Sequence, residues 1–84
     1  MTENAIAAAI ARSESHNEIV KVEIKDSSTN ALNAISKLTK CEIDFVMTED
    51  SEGNVMLDVW GFDEDAPAGG MLWRLAITFV GRDE

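Results

Sequence analysis

Cys41 and His16 are the only cysteine and the only histidine in this 84-residue chain. Any thiol nucleophile or imidazole base has to be built on them. Cys41 heads an apolar alternation, Cys41, Ile43, Phe45 and Met47, where a thiol serves as a small buried hydrophobe. His16 lies in the polar run Ser13-Glu14-Ser15-His16-Asn17, read as the exposed exit of a helix. The two fall in different elements, and neither has a catalytic signature around it. A lone cysteine also excludes an internal disulfide and a multi-cysteine zinc site. No catalytic, cofactor-binding or metal-ligating set is assigned, and the chain is not expected to be an enzyme.

Carboxylates are the remaining chemistry. Sixteen acids against seven bases give a formal charge of −9. Residues 1–40 hold five acids and five bases, so residues 41–84, with eleven acids and two bases, carry the whole excess. Such a half repels phosphate backbones and anionic lipid, which excludes direct nucleic-acid or membrane binding and leaves a basic protein as a partner. Asp63, Glu64 and Asp65 are consecutive, whereas a calcium loop needs alternating oxygen ligands and a distal Glu. Gly69-Gly70 leads into a strand rather than a helix and has no lysine nearby, so it is no phosphate cradle. Asp44, Asp58, Asp63, Glu64 and Asp65 are carried forward as an acidic surface.

The elements that must position these groups follow from periodicity. Thr2 is a candidate N-cap for an Ala-rich helix whose narrow stripe is Ile6, Ala9, Ile10 and Ser13, with a polar exit over 13–17. Residues 18–25 alternate as a strand, with Val20, Val22 and Ile24 inward and Ile19, Lys21, Glu23 and Lys25 outward, and lysines on that face suit a sheet edge. Asp26-Ser27-Ser28 caps a second helix over about 28–39, with Ala31, Leu32, Ala34, Ile35 and Leu38 facing a core. A crossover of this length can join two parallel strands. Three further strands follow, about 41–48, 55–62 and 71–80.

The turn Asp50-Ser51-Glu52-Gly53-Asn54 reads as a three-residue hairpin loop in which Gly53 takes a positive φ. It sets a register with Phe45 opposite Val59, Met47 opposite Leu57 and Asp44 opposite Trp60. A two-residue slip would instead set Asp44 against Asp58, a like-charge pair. Across the next hairpin, Arg74 is expected opposite either Asp58 or Trp60.

The order α-β-α-β-β-β therefore predicts one α+β domain over 1–84, with residues 81–84 a polar tail. Its core is a four-stranded mixed sheet with helices packed mainly on one face. Trp73 points into the core. Trp60 points out, in a patch with Val46, Met56, Leu72 and Arg74, unless the first helix covers that face. An exposed Trp and Met in one apolar patch is the pattern of a protein interface. No segment reaches the ~18 apolar residues of a membrane span and the N-terminus lacks a signal-peptide pattern, so a cytoplasmic location is expected.

These readings converge on a small acidic protein-binding module, homodimeric through the outer sheet face. One alternative is an acidic inhibitor or antitoxin-like protein of a phage or mobile element, imitating nucleic-acid charge. The other is a small-ligand module using a pocket near Trp60 or Trp73 and the 63–70 loop.

Overall fold

In a computed structural model, the chain runs α1 (Thr2–His16), β1 (Ile19–Ile24), α2 (Ser28–Leu38), β2 (Glu42–Glu49), β3 (Val55–Phe62) and β4 (Met71–Phe79). The structure describes residues 2–66 and 70–80, so the polar tail at 81–84 and residues 67–69 of the acidic loop lie outside it. The four strands form one mixed sheet in the order β1-β4-β3-β2, which confirms the α+β class. β1 pairs parallel to β4, and β4–β3 and β3–β2 are antiparallel hairpins. β1 and β2 thus run in the same direction at opposite edges, and the α2 connection carries the chain across the width of the sheet.

Both helices lie on the face formed by Val20, Ile24, Leu57, Val59, Trp73, Leu75, Ile77 and Phe79. These strand residues share one buried cluster with Ile6, Ala9 and Ile10 of α1 and Ala31, Ala34 and Ile35 of α2. α1 rests on β1, β4 and α2. Its small alanine faces permit that close approach, and Ile6 is fully buried although its stripe is narrow.

α1 continues to His16, through most of the polar run 13–17 expected as its exit, with Ser13 on its docking stripe as its spacing predicts. Ser13 is 2% exposed. Asn17, in the left-handed region at φ 51°, ends the helix, and its N–H donates to the Ser13 carbonyl at 2.8 Å. α2 is capped by Ser27, whose hydroxyl accepts from the Asn30 N–H at 3.2 Å.

The β2–β3 register is the expected one: Phe45 faces Val59, Met47 faces Leu57 and Asp44 faces Trp60. Gly53 has φ +86° at the turn, and the Asp50 N–H donates to the Asn54 carbonyl at 3.0 Å. Asp50 is committed to this turn. Its Oδ1 accepts from the Glu52 and Asn54 N–H groups, each at 2.9 Å, and the Asn54 bonds foremost hold its pKa below the ordinary carboxylate value.

The β3–β4 ladder is regular from Met56 to Gly61 and then shifts, so that Gly61 faces Trp73 while Phe62 faces Met71. Leu72 is the extra residue of that bulge. Gly61 belongs here for want of space: a methyl in its place would overlap the Trp73 indole and meet Cys41 Sγ at 2.7 Å.

Candidate functional site

The helix layer does not reach the whole sheet. Leu57 and Val59 of β3 are 1% and 0% exposed, but their β2 neighbours on the same face, Met47 and Phe45, are 42% and 44% exposed. β2 makes its extensive contacts with β3 alone. The strand is therefore an overhang, with apolar side chains open on both faces: Phe45 and Met47 on the helix side, Val46 on the other.

Among the described residues no helix covers the outer face, because α1 and α2 both occupy the inner one. The ladders arrange its side chains in rows. One row is Asp44, Trp60, Arg74 and Ile19; the next is Val46, Asp58, Ala76 and Lys21; Thr48, Met56 and Thr78 form a third. Of the expected patch, Val46 and Met56 are exposed, Trp60 and Arg74 are half-buried, and the four lie on neighbouring rows.

Leu72 is exposed but sits at the bulge, where it lines a cleft together with Ile10 and Trp73. Ile19, 51% exposed, extends the Trp60 row onto β1. Sequence reasoning had turned Ile19 outward without placing it near Trp60, because that neighbourhood depends on β1 pairing with β4.

Arg74 organises the centre of this face. Its guanidinium donates to both Asp58 oxygens, from Nη2 at 2.6 Å and Nε at 3.0 Å, while its Cζ lies 5.9 Å from the Trp60 ring centroid. The two partners weighed from the sequence are thus both engaged: Trp60 directly opposite, Asp58 on the diagonal. The hydrogen bonds from Arg74 hold the Asp58 carboxyl below its ordinary pKa. Of the acids assigned to the surface, Asp58 is consequently neutralised by an internal cation. Asp44 uses one oxygen to accept the Phe45 N–H at 2.9 Å.

The other acids gather at the end of the sheet that carries the acidic loop. A cleft of about 550 Å³ opens there, with Ile10, Leu38, Cys41, Phe62, Leu72 and Trp73 as its apolar lining. Glu14, Glu42, Asp63, Glu64 and Asp65 supply its acidic side. The Glu42 carboxyl is raised above its ordinary pKa, first by a hydrogen bond with Glu64 and then by the charges of Glu64 and Asp63. Trp60 does not line this cleft.

Comparison with known protein families, curated proteins and solved structures gave no match to this chain. Its surface has to speak for it.

Cys41 is half-buried in the cleft wall, and His16 is exposed at the end of α1, its Nδ1 3.1 Å from the Arg12 carbonyl. They sit on different elements with different neighbours. Among the described residues, no group of three or more His, Cys, Asp or Glu side chains is placed to hold a metal ion. No helix among the described residues is long and apolar enough to cross a membrane.

Proposed function

We propose that this is a non-enzymatic protein-binding module whose working surface is the uncovered β2–β3 half of the sheet. The observation that carries the reading is the exposure of Phe45, Val46 and Met47, three consecutive apolar residues open on both faces of one strand. An isolated exposed apolar side chain is ordinary, but a strand that is apolar on both sides and uncovered on both sides is a surface awaiting a partner. Met56 and Trp60 continue it across β3, with the Asp58–Arg74 pair as its polar rim. The partner is a second copy of the chain or a basic protein.

The test is to purify complexes from the native cell with the unmodified chain and with three single variants: Phe45→Lys, Val46→Lys and, on the exposed side of α2, Ser36→Lys. Complexes of the unmodified chain should persist with Ser36→Lys and be lost with both β2 variants. Equal recovery for all three, or no complex at all, contradicts the reading.

A cleft of 300–1,000 Å³ is the ordinary size for a small-molecule site, and the volume beside Trp73 supports ligand binding as a second reading. Its apolar lining and acidic side suit an amine with an apolar body. Titration of tryptophan fluorescence with such amines checks it, and a flat response at millimolar ligand rejects it. Charge mimicry has weaker support, since Arg74 neutralises Asp58 at the centre of the face.

A further inference from the structure

The two edges of the sheet are built differently. On β1, Lys21 guards the strand, with Lys25 just past its end, as edge lysines do in sheets that avoid one another. β2 has no lysine, no proline and no bulge along its eight residues, and its ladder to β3 is unbroken from Glu42 to Glu49.

The free hydrogen-bonding groups of β2 can be assigned. In an antiparallel ladder, successive residues turn their backbone groups to opposite sides. The Asp50 N–H bonds Asn54, so Thr48, Val46, Asp44 and Glu42 face β3, and Glu49, Met47, Phe45 and Ile43 face the open side. The Phe45 N–H confirms the assignment independently, because it is taken by the Asp44 carboxylate next to it rather than by β3.

We propose that β2 pairs with β2 of a second copy, antiparallel and centred on Phe45, to form one continuous eight-stranded sheet. This rests on the protein-binding reading and names the partner and the contact. A two-fold axis perpendicular to the sheet keeps the helix-bearing faces on one side, so each register pairs a central residue with itself. Charge selects among the centres. Centring on Asp44 sets that carboxylate against its own copy; centring on Val46 opposes Glu42 to Asp50; centring on Met47 opposes Asp44 to Asp50.

Only the Phe45 centre, of these four, opposes no acid to an acid. It sets Asp44 against Val46, Ile43 against Met47 and Glu42 against Thr48. Just past the strand ends it brings Lys40 to Asp50, twice by symmetry. Phe45 and Met47, which the helices leave open, then cover one another's neighbours across the seam.

The pairing has a built-in brake. At the axis, each Phe45 N–H must donate to the other copy's Phe45 carbonyl, and Asp44 already holds that N–H at 2.9 Å. Strand pairing over eight residues also lies at the small end of specific interfaces, below about 1,200 Å², the class of weak and transient contacts. Freeing the donor in Asp44→Ala should tighten it.

Single-cysteine cross-linking in a Cys41→Ala background reads the contact directly. Residues opposed as a hydrogen-bonded pair lie about 5.5 Å apart at Cα, within disulfide reach. Phe45→Cys should form the inter-chain disulfide at least about tenfold faster than Val46→Cys or Met56→Cys, whose opposite residues differ from themselves or lie on another face. Light scattering on the unmodified chain guards against a folding failure of any variant, and should show association that Phe45→Lys removes and Asp44→Ala strengthens.

Fastest cross-linking at Val46 overturns the register. Fastest cross-linking at Met56 overturns the edge contact in favour of outer faces meeting, and leaves the binding reading standing. A chain that stays monomeric at high micromolar concentration overturns the pairing. Recovery of a different partner that depends on Phe45 and Val46 would then show that the binding reading survives it.

Discussion

The Ser13 hydroxyl accepts the Arg74 N–H at 2.8 Å and lies 2.8 Å from the Glu18 carbonyl, to which it donates. One buried side chain of α1 thereby ties the entry to β1 and the backbone of β4, whose Arg74 side chain reaches through to the outer face. The Ser13 side chain itself is buried. Ser13→Ala should cost about 1–3 kcal/mol, since it removes two part-buried hydrogen bonds to backbone groups. For a chain of this size, each kcal/mol lowers Tm by roughly 4–8 °C. Urea or thermal unfolding checks it, and a Tm within a degree of the parent would show that the bonds carry no weight.

Gly61 makes room for Trp73. A methyl at 61 overlaps the indole, which is 3% exposed and cannot swing outward without opening the core. Gly61→Ala should destabilise by about 1–3 kcal/mol, the range for overpacking a filled core. The emission of Trp73 should also move to the red. Unchanged stability and emission would mean that Cys41 and Trp73 yield freely.

Acid should weaken the outer face through Asp58. Its folded pKa is lowered by the hydrogen bonds from Arg74, so its contribution is complete above the ordinary carboxylate range and disappears as pH falls through the lowered value, below about pH 4. The pair is more than a third exposed, and solvent screening keeps it under about 1 kcal/mol. Asp58→Asn should narrow the stability difference between neutral and acidic solution. An identical pH profile for parent and variant would remove the pair from the account.

Glu42 works in the opposite sense. Its folded pKa is raised by Glu64 and Asp63, so the fold holds that proton more tightly than the unfolded chain does. The associated stability is full below its ordinary value and is lost as pH rises through the raised one. At neutral pH the cleft mouth is therefore repulsive, and Glu42→Gln should stabilise the protein there while changing little in acid. Denaturant midpoints at the two pH values decide it; a lower neutral midpoint for the variant contradicts it.

Salt gives a further check on self-association. Two chains of charge −9 repel, and the acids concentrate near β2. Raising ionic strength shortens the Debye length from about 30 Å at 0.01 M to about 8 Å at 0.15 M and should tighten the dimer. Sedimentation at the two salt concentrations measures it. Weaker association in salt would contradict net repulsion between the copies as the controlling effect.

Much of this architecture is legible in the residues themselves. The alternation in 55–62 marks β3 at its observed bounds, and Gly53 with the Asp44–Asp58 conflict sets the β2–β3 register found in the structure. Arg74 could be narrowed to two partners because both lie on one face of one ladder. What escaped is long-range. Nothing local shows that β4 inserts beside β1, so the Ile19–Arg74–Trp60 row was hidden. Ser13 falls on the docking stripe by spacing alone, but its partners, the Glu18 carbonyl and the Arg74 N–H, depend on where β1 and β4 lie. The exposure of Phe45 and Met47 was also unreadable. Their alternation marks a core face, and only the width of the helix layer shows that the core stops at β3.

The central claim, that β2 is the contact strand, is tested most directly by light scattering on the unmodified chain and Phe45→Lys from low to high micromolar concentration. The unmodified chain should rise toward the mass of two chains while Phe45→Lys stays at one. The same concentration-dependent mass for both, or a single-chain mass for the unmodified protein throughout, contradicts it.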